Sequence, residues 1–159
     1  RILAETKFPP HRLRLEVTEN LFMKSTETTI DILQELQEWG IQIYLDDFGT
    51  GYSSLNYLHR FPINTLKIDR CFIGHLNSNA SHASIVQAIM TLAHVLGLAV
   101  IAEGVETVEQ LHQLCQLQCE FGQGYLFSTP LSQTQIAEYL AKNDLAWHND
   151  YYSGNRIVR

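Results

Sequence analysis

The sequence of 159 residues holds 11 Lys+Arg against 17 Asp+Glu, a formal charge of −6, with 45% hydrophobic and 18% charged residues. That length supports one domain with a substantial core, and the negative charge excludes a broad phosphate-tracking surface, so no DNA or RNA partner is expected. No apolar run reaches the ~18 residues of a membrane-spanning helix, and an odd set of cysteines, Cys71, Cys115 and Cys119, argues against a disulfide framework and for a reducing, cytoplasmic setting.

In chain order, the first strand is predicted over Leu13–Val17. Ile30, Leu33, Leu36 and Trp39 then mark a helix closed by Gly40. A second strand over Ile41–Leu45 and a third over Thr65–Ile68 follow. Ile85, Val86, Ile89, Met90, Ala93 and Leu96 mark a longer helix closed by Gly97, and Leu98–Ala102 is the fourth strand. Thr107 with Gln110 forms a capping box that opens a helix through Leu111 and Leu114. Cys115 and Cys119 are small apolar fillers beside it. A weak fifth strand lies within Glu120–Leu126, and Ser132 with Gln135 opens a last helix through Ile136, Tyr139 and Leu140. Residues 1–142 read as one domain. Residues 143–159, polar with scattered Trp147, Tyr151 and Tyr152, read as a tail or linker.

Strands alternating with helices imply parallel strands joined by right-handed crossovers, in either an open doubly wound sheet or a closed barrel. No Gly-rich phosphate loop follows any strand, which disfavours a nucleotide-binding open sheet. Alternate residues of a strand face opposite ways. Leu13, Leu15 and Val17 therefore share one face and Arg14 with Glu16 the other. The same parity sets Gln42, Tyr44 and Asp46, then Thr65, Lys67 and Asp69, then Ala99, Ile101 and Glu103, opposite the aliphatic residues. Glu16, Asp46, Lys67 and Glu103 are thus aimed into one region at the C-terminal ends of the strands, where β/α barrels place active sites. Any one of these charges alone would be a solvated loop residue or an ion pair; four in phase point to a site. Asp47 follows Asp46 at once, and adjacent carboxylates suit two divalent cations. With only oxygen ligands on offer, those would be Mg²⁺ or Mn²⁺ rather than zinc.

The stretches LEVTEN (Leu15 to Asn20), DDFGTGYSSL (Asp46 to Leu55), LKIDR (Leu66 to Arg70), AEGVET (Ala102 to Thr107) and GQGYLFSTPL (Gly122 to Leu131) resemble, in order, the motifs of EAL-domain cyclic di-GMP phosphodiesterases. The resemblance runs from about Leu13 to Leu140. It implies a (β/α)8 TIM-type barrel, of which this chain would hold only the C-terminal five or so β/α units. It also implies hydrolysis of cyclic di-GMP to linear pGpG at a two-ion Mg²⁺ or Mn²⁺ site. By that likeness Glu16, Asp46, Asp47 and Glu103 are metal ligands, and Lys67 contacts the attacking water or the phosphate. Gln123 supports the water network, and Glu103 counts among the catalytic groups. Glu19 anchors the loop that begins at Asp46. Thr50, Tyr52 and Ser53 fit turn and helix-cap chemistry instead.

The Glu of the EAL signature and an Asn-bearing strand are expected upstream, so the sequence, which starts at Arg1 and shows no leader, reads as a piece of a longer chain. A sensor or GGDEF domain is expected ahead of it, and a homodimer of the complete domain. Alone, residues 1–159 are expected to hydrolyse little substrate and to be unstable or self-associating along the Leu13–Val17 edge. A degenerate module that binds cyclic di-GMP or a protein without turnover would share the fold; the intact DDFGTG, Lys67 and Glu103 favour turnover. A metal-dependent hydrolase of another substrate would fit the carboxylates but not the whole series of motifs. His75, His82, His94 and His112 stand at no strand end and are read as surface or packed residues. Phe121, Tyr125 and Phe127 are read as core rather than as a stacking platform.

Overall fold

The computed structural model describes residues 1–19, 21, 27–50, 58–77 and 80–143, of which residues 142 and 143 are described by backbone alone. The described chain runs α1 (Ile2–Thr6), a 3-10 turn (Pro10–Arg12), β1 (Arg14–Thr18), α2 (Glu27–Glu38), β2 (Gln42–Phe48), β3 (Thr65–Ile68), α3 (Arg70–Ile73), α4 (Ala80–Val95), β4 (Ala99–Glu103), α5 (Val108–Gln116), β5 (Phe121–Gln123) and α6 (Gln133–Asn143). The five strands are parallel and lie in the order β1-β2-β3-β4-β5. Each crossover therefore steps to the next strand with no reversal of direction. A doubly wound sheet would show a switch point; sequential order is the winding of a β/α barrel, here its five-strand part.

The core lies between the sheet and its helices. Ile43, Leu45, Leu66, Ile68, Val100 and Ala102 are fully buried on the strands, against Ile73, Val86, Ala93 and Leu114 from the helices. The middle strand β3 is buried on both faces, Thr65 and Lys67 included. That is how a central parallel strand behaves.

Three strands begin one residue later than their apolar runs, for a common reason in two of them. Gly40 and Gly97 take left-handed φ of 87° and 71° and end α2 and α4. The N–H of Ile41 then donates to Leu36 O, and that of Leu98 to Ala93 O, the closing bond of a Schellman cap. Those N–H groups finish the helices, so pairing starts at Gln42 and Ala99. In the third, β1, Leu13 N donates to Pro10 O of the 3-10 turn. The cap at the end of α5 repeats the pattern, Cys119 N to Leu114 O and Gln118 N to Cys115 O, with Gln118 at φ 61° where the others use glycine.

Both predicted capping boxes form. Thr107 Oγ1 accepts from Gln110 N, and Gln110 Oε1 accepts from Thr107 N at 3.0 Å; Ser132 and Gln135 exchange the equivalent pair. Gln110 is buried, and its Nε2 also donates to Ile73 O at 3.1 Å, tying α5 to α3. The proposed tail, with Trp147, Tyr151 and Tyr152, lies outside the described residues from 144 onward, as do Asn20 of the first motif and residues 51–55 of the second.

A non-glycine residue in the left-handed region costs about 1 kcal/mol. Gln118→Gly should therefore stabilise the protein and Gly97→Ala, where space is open but φ is wrong, should destabilise it, each by about 1 kcal/mol in thermal or urea unfolding. Shifts of the same sign would contradict this reading of the caps.

Candidate active site

The residues that alternation aimed at the strand ends meet at one point. Lys67 Nζ lies 2.9 Å from Glu16 Oε1, 2.9 Å from Asp46 Oδ1 and 2.8 Å from Glu103 Oε1. Lys67 stands in register with Ile101, two residues before Glu103, and its four-carbon stem spans that step along the strand. Asp46 and Glu103 come from the strands on either side of β3, whereas Glu16 comes from β1, two strands away. Two strand spacings in a flat sheet are about 9.6 Å. Long Glu and Lys side chains bridge that span, which a sheet concave on this face, as in a barrel, shortens.

The lysine side chain is 6% exposed, against 21% for Asp46, 19% for Glu103 and 51% for Glu16. Burial by itself would lower the pKa of the ammonium; its bonds to Glu103, Asp46 and Glu16 outweigh that and hold it above the ordinary 10.5. Lys67 is a fixed cation here. Three carboxylates around one ammonium still leave a formal surplus of two negative charges. Asp46 Oδ1 is buried and faces the ammonium in the ion pair, with no further hydrogen-bond donor to it among the described residues. An all-oxygen donor set, surplus negative charge and an under-satisfied buried oxygen suit a hard divalent cation. Among the described residues no three side chains of ligand type already stand as a metal-holding group, because the ammonium takes the point on which the carboxylates converge.

Asp47 is not among Lys67's partners. Strict alternation would turn it toward the buried face with Ile43 and Leu45. The β2–β3 register instead shifts between Leu45 and Phe48, Asp47 takes φ 56°, and Phe48 occupies the buried side at 5% exposure. A bulge of this kind re-aims a side chain, and Asp47 is exposed beside Asp46. Glu19, only 4% exposed, accepts from Gly49 N through Oε2 at 3.3 Å and so holds the backbone just after the carboxylate pair. Gln123 pairs with Glu103 across β4 and β5 and is exposed on the rim of a cavity of about 610 Å³.

That cavity is lined in part by Arg14, Tyr44, Ile101, Phe121 and Phe127. Arg14 Nε donates to Tyr44 Oη at 2.6 Å. Sequence reasoning did not single out this pair, although the parity that selected Glu16 and Asp46 places Arg14 and Tyr44 on the same face. Tyr125 is 65% exposed and not core, while Phe121 and Phe127 are half-buried. Tyr125 sits in the turn after β5. Away from the site, His94 Nε2 meets Glu120 Oε1 at 3.1 Å, His75 stacks on His82 and His112 is exposed. Cys119 is buried, and burial pushes its thiol up to about 12, which keeps it an inert filler.

The EAL domain family matches residues 1–130. The chain is 48% identical over 128 residues to the cyclic di-GMP phosphodiesterase NbdA of Pseudomonas aeruginosa, covering 80% of this chain and 16% of that protein. It is 45% identical over 139 residues to the bifunctional diguanylate cyclase/cyclic di-GMP phosphodiesterase MucR of the same organism, covering 87% and 20%. Among solved structures, PaMucR phosphodiesterase in complex with c-di-GMP superposes with TM-score 0.80 at 44% identity, covering 84% of this chain and 54% of that one. Klebsiella pneumoniae BlrP1 with manganese and cyclic di-GMP superposes with TM-score 0.73 at 32% identity, covering 80% and 33%. The chain thus spans about a fifth or less of the length of these curated relatives.

The lysine cluster has its own pH signature. A folded-state pKa raised above the unfolded value contributes stability that is complete below 10.5 and is lost as pH rises through the raised value. Thermal unfolding followed upward from about pH 9 should show the unsubstituted protein losing stability more steeply than Lys67→Met. At neutral pH the variant should be less stable by about 3 kcal/mol, the low end for stranding buried charge, since Glu16 is half-exposed. Parallel pH curves would mean that these carboxylates do not hold Lys67 charged.

Proposed function

The chain belongs to the EAL domain family, and on that premise we propose that it supplies five strands of the active site of a metal-dependent phosphodiesterase that opens cyclic di-GMP to linear pGpG. The observation that carries this reading is the buried lysine held by Glu16, Asp46 and Glu103 at the C-terminal ends of parallel strands. Relatives that bear the phosphodiesterase name support it.

Glu16, Asp46, Asp47 and Glu103 would hold two divalent cations, Mg²⁺ or Mn²⁺, the latter being the ion in the BlrP1 complex. When bound, such ions polarise a phosphodiester and lower the pKa of a coordinated water. The chain's own groups do the rest. Lys67, kept protonated, cannot serve as a base, which needs a pKa near the working pH. It donates hydrogen bonds to the attacking water or to a phosphate oxygen and offsets repulsion among the carboxylates. Gln123, next to Glu103, orients the water from the rim. Glu19 fixes Gly49 and with it the direction of Asp46 and Asp47. The water oxygen bonds to phosphorus and gives up a proton to solvent as the bond to the ribose oxygen breaks, and that oxygen takes up a proton from solvent, so one water is consumed.

The whole protein would add the remaining barrel strands with the EAL Glu and the Asn. It would also carry a sensor or GGDEF domain, for which the cyclase in the MucR name is the precedent. A homodimer of the complete domain and a cytoplasmic site of action complete the proposal; among the described residues no helix is long and apolar enough to cross a membrane.

In the full-length protein, Asp46→Asn should lower kcat/KM for cyclic di-GMP roughly a thousandfold, about 4 kcal/mol. Unchanged Mg²⁺-dependent hydrolysis would sink the proposal. Lys67→Met should depress kcat about a hundredfold while leaving Mn²⁺ affinity within a few-fold by calorimetry. Collapse of that affinity would instead mean that the carboxylates need Lys67 to hold the geometry that binds the ions, and would sink its assignment to the chemical step.

A further inference from the structure

We propose that Phe72 is a positioning residue for the carboxylate-bearing end of β2, acting as the floor on which Gly49 is seated. Gly49 lies two residues beyond Asp47 with φ 94°, a conformation open to glycine and strained for other residues. Its N–H donates to Glu19. A Cβ at Gly49 would stand 2.9 Å from Phe72 Cε2, 3.1 Å from Cζ and 3.6 Å from Ile89 Cδ1. The backbone therefore rests directly on the edge of the phenyl ring, and the missing side chain is what permits the approach.

The ring comes from the short helix that follows the strand carrying the lysine. β3 ends at Ile68, Asp69 caps α3 by accepting from Cys71 N at 2.8 Å, and Phe72 sits within that helix. One side chain thus ties the end of β3, with Lys67, to the end of β2, with Asp46 and Asp47. The ring is itself backed: His82 of α4 packs on it with centroids 6.0 Å apart, and His75 packs on His82 at 5.2 Å. Phe72 is only partly buried at the margin of the core, so its loss opens space beneath one glycine rather than a hole at the centre. Without it Gly49 would keep the bond to Glu19 but lose the surface of the ring, and the bulge that aims Asp47 would no longer be clamped.

The inference rests on reading this end of the sheet as a metal site, and the test separates the two. In the full-length protein, Phe72→Ala should speed amide hydrogen exchange at Gly49 about tenfold while leaving Ile68 within about twofold. Calorimetric Mn²⁺ affinity should fall about tenfold, in the range seen when residues supporting metal ligands are removed. Phe72→Leu, which keeps apolar bulk in place, should recover most of both losses, and it carries the test if the alanine variant does not fold. Unchanged exchange at Gly49 in both variants would overturn the proposal, as would exchange that rises equally at Ile68. Unsubstituted protein that binds no Mn²⁺ would refute the metal reading, and the exchange measurements would still decide the role of Phe72.

Discussion

A buried ammonium needs partners, and the rest of this structure is arranged to provide them. Lys67 lies on the central strand, 6% exposed, with carboxylates from three other strands within 2.9 Å. Stranding such a charge costs more than the pair contributes in net stability, so the strands that bear Glu16, Asp46 and Glu103 are tied to one geometry. The same contact fits a concave sheet, since Glu16 starts two strands away. The lysine is thus both the electrostatic centre of the site and a check on the curvature of the sheet. It also leaves the site unfinished in charge, and that surplus connects the fold to cation binding.

Around this centre, control of backbone direction matters as much as charge. The bulge at Asp47 turns one of two adjacent carboxylates out of the buried face and gives its place to Phe48. Glu19 and Phe72 then both contact Gly49 immediately afterward. Arg14 and Tyr44 form a polar pair farther down the same face, beside the cavity that Gln123 overlooks. The concave face therefore grades from a polar and aromatic floor to an acidic rim.

Much of this was legible in the sequence. Alternation alone placed Glu16, Asp46, Lys67 and Glu103 together, because side-chain parity in a strand follows from the numbering. The order of strands and helices limited the architecture to two forms, and the motif series favoured the barrel. Other features depend on what a hydrophobic pattern does not encode. Ile41 and Leu98 look like strand residues by side chain, yet their N–H groups belong to helix caps. Helices as short as Arg70–Ile73 complete too few turns to show a period. The seating of Gly49 on Phe72 joins residues from different β/α units, and no local spacing predicts it. Lysine at the centre of the carboxylates, rather than beside them, depends on how side chains of four strands converge, which spacing along the chain does not encode.

The most direct test of the two-ion assignment is anomalous diffraction at the manganese edge from crystals of the full-length protein grown with Mn²⁺. Two peaks are expected, each about 2.2 Å from carboxylate oxygens, with Asp46 and Asp47 contributing and Lys67 displaced from at least one of its present partners. Peaks elsewhere, or none while Lys67 keeps all three contacts, would contradict the assignment of these residues as a metal site.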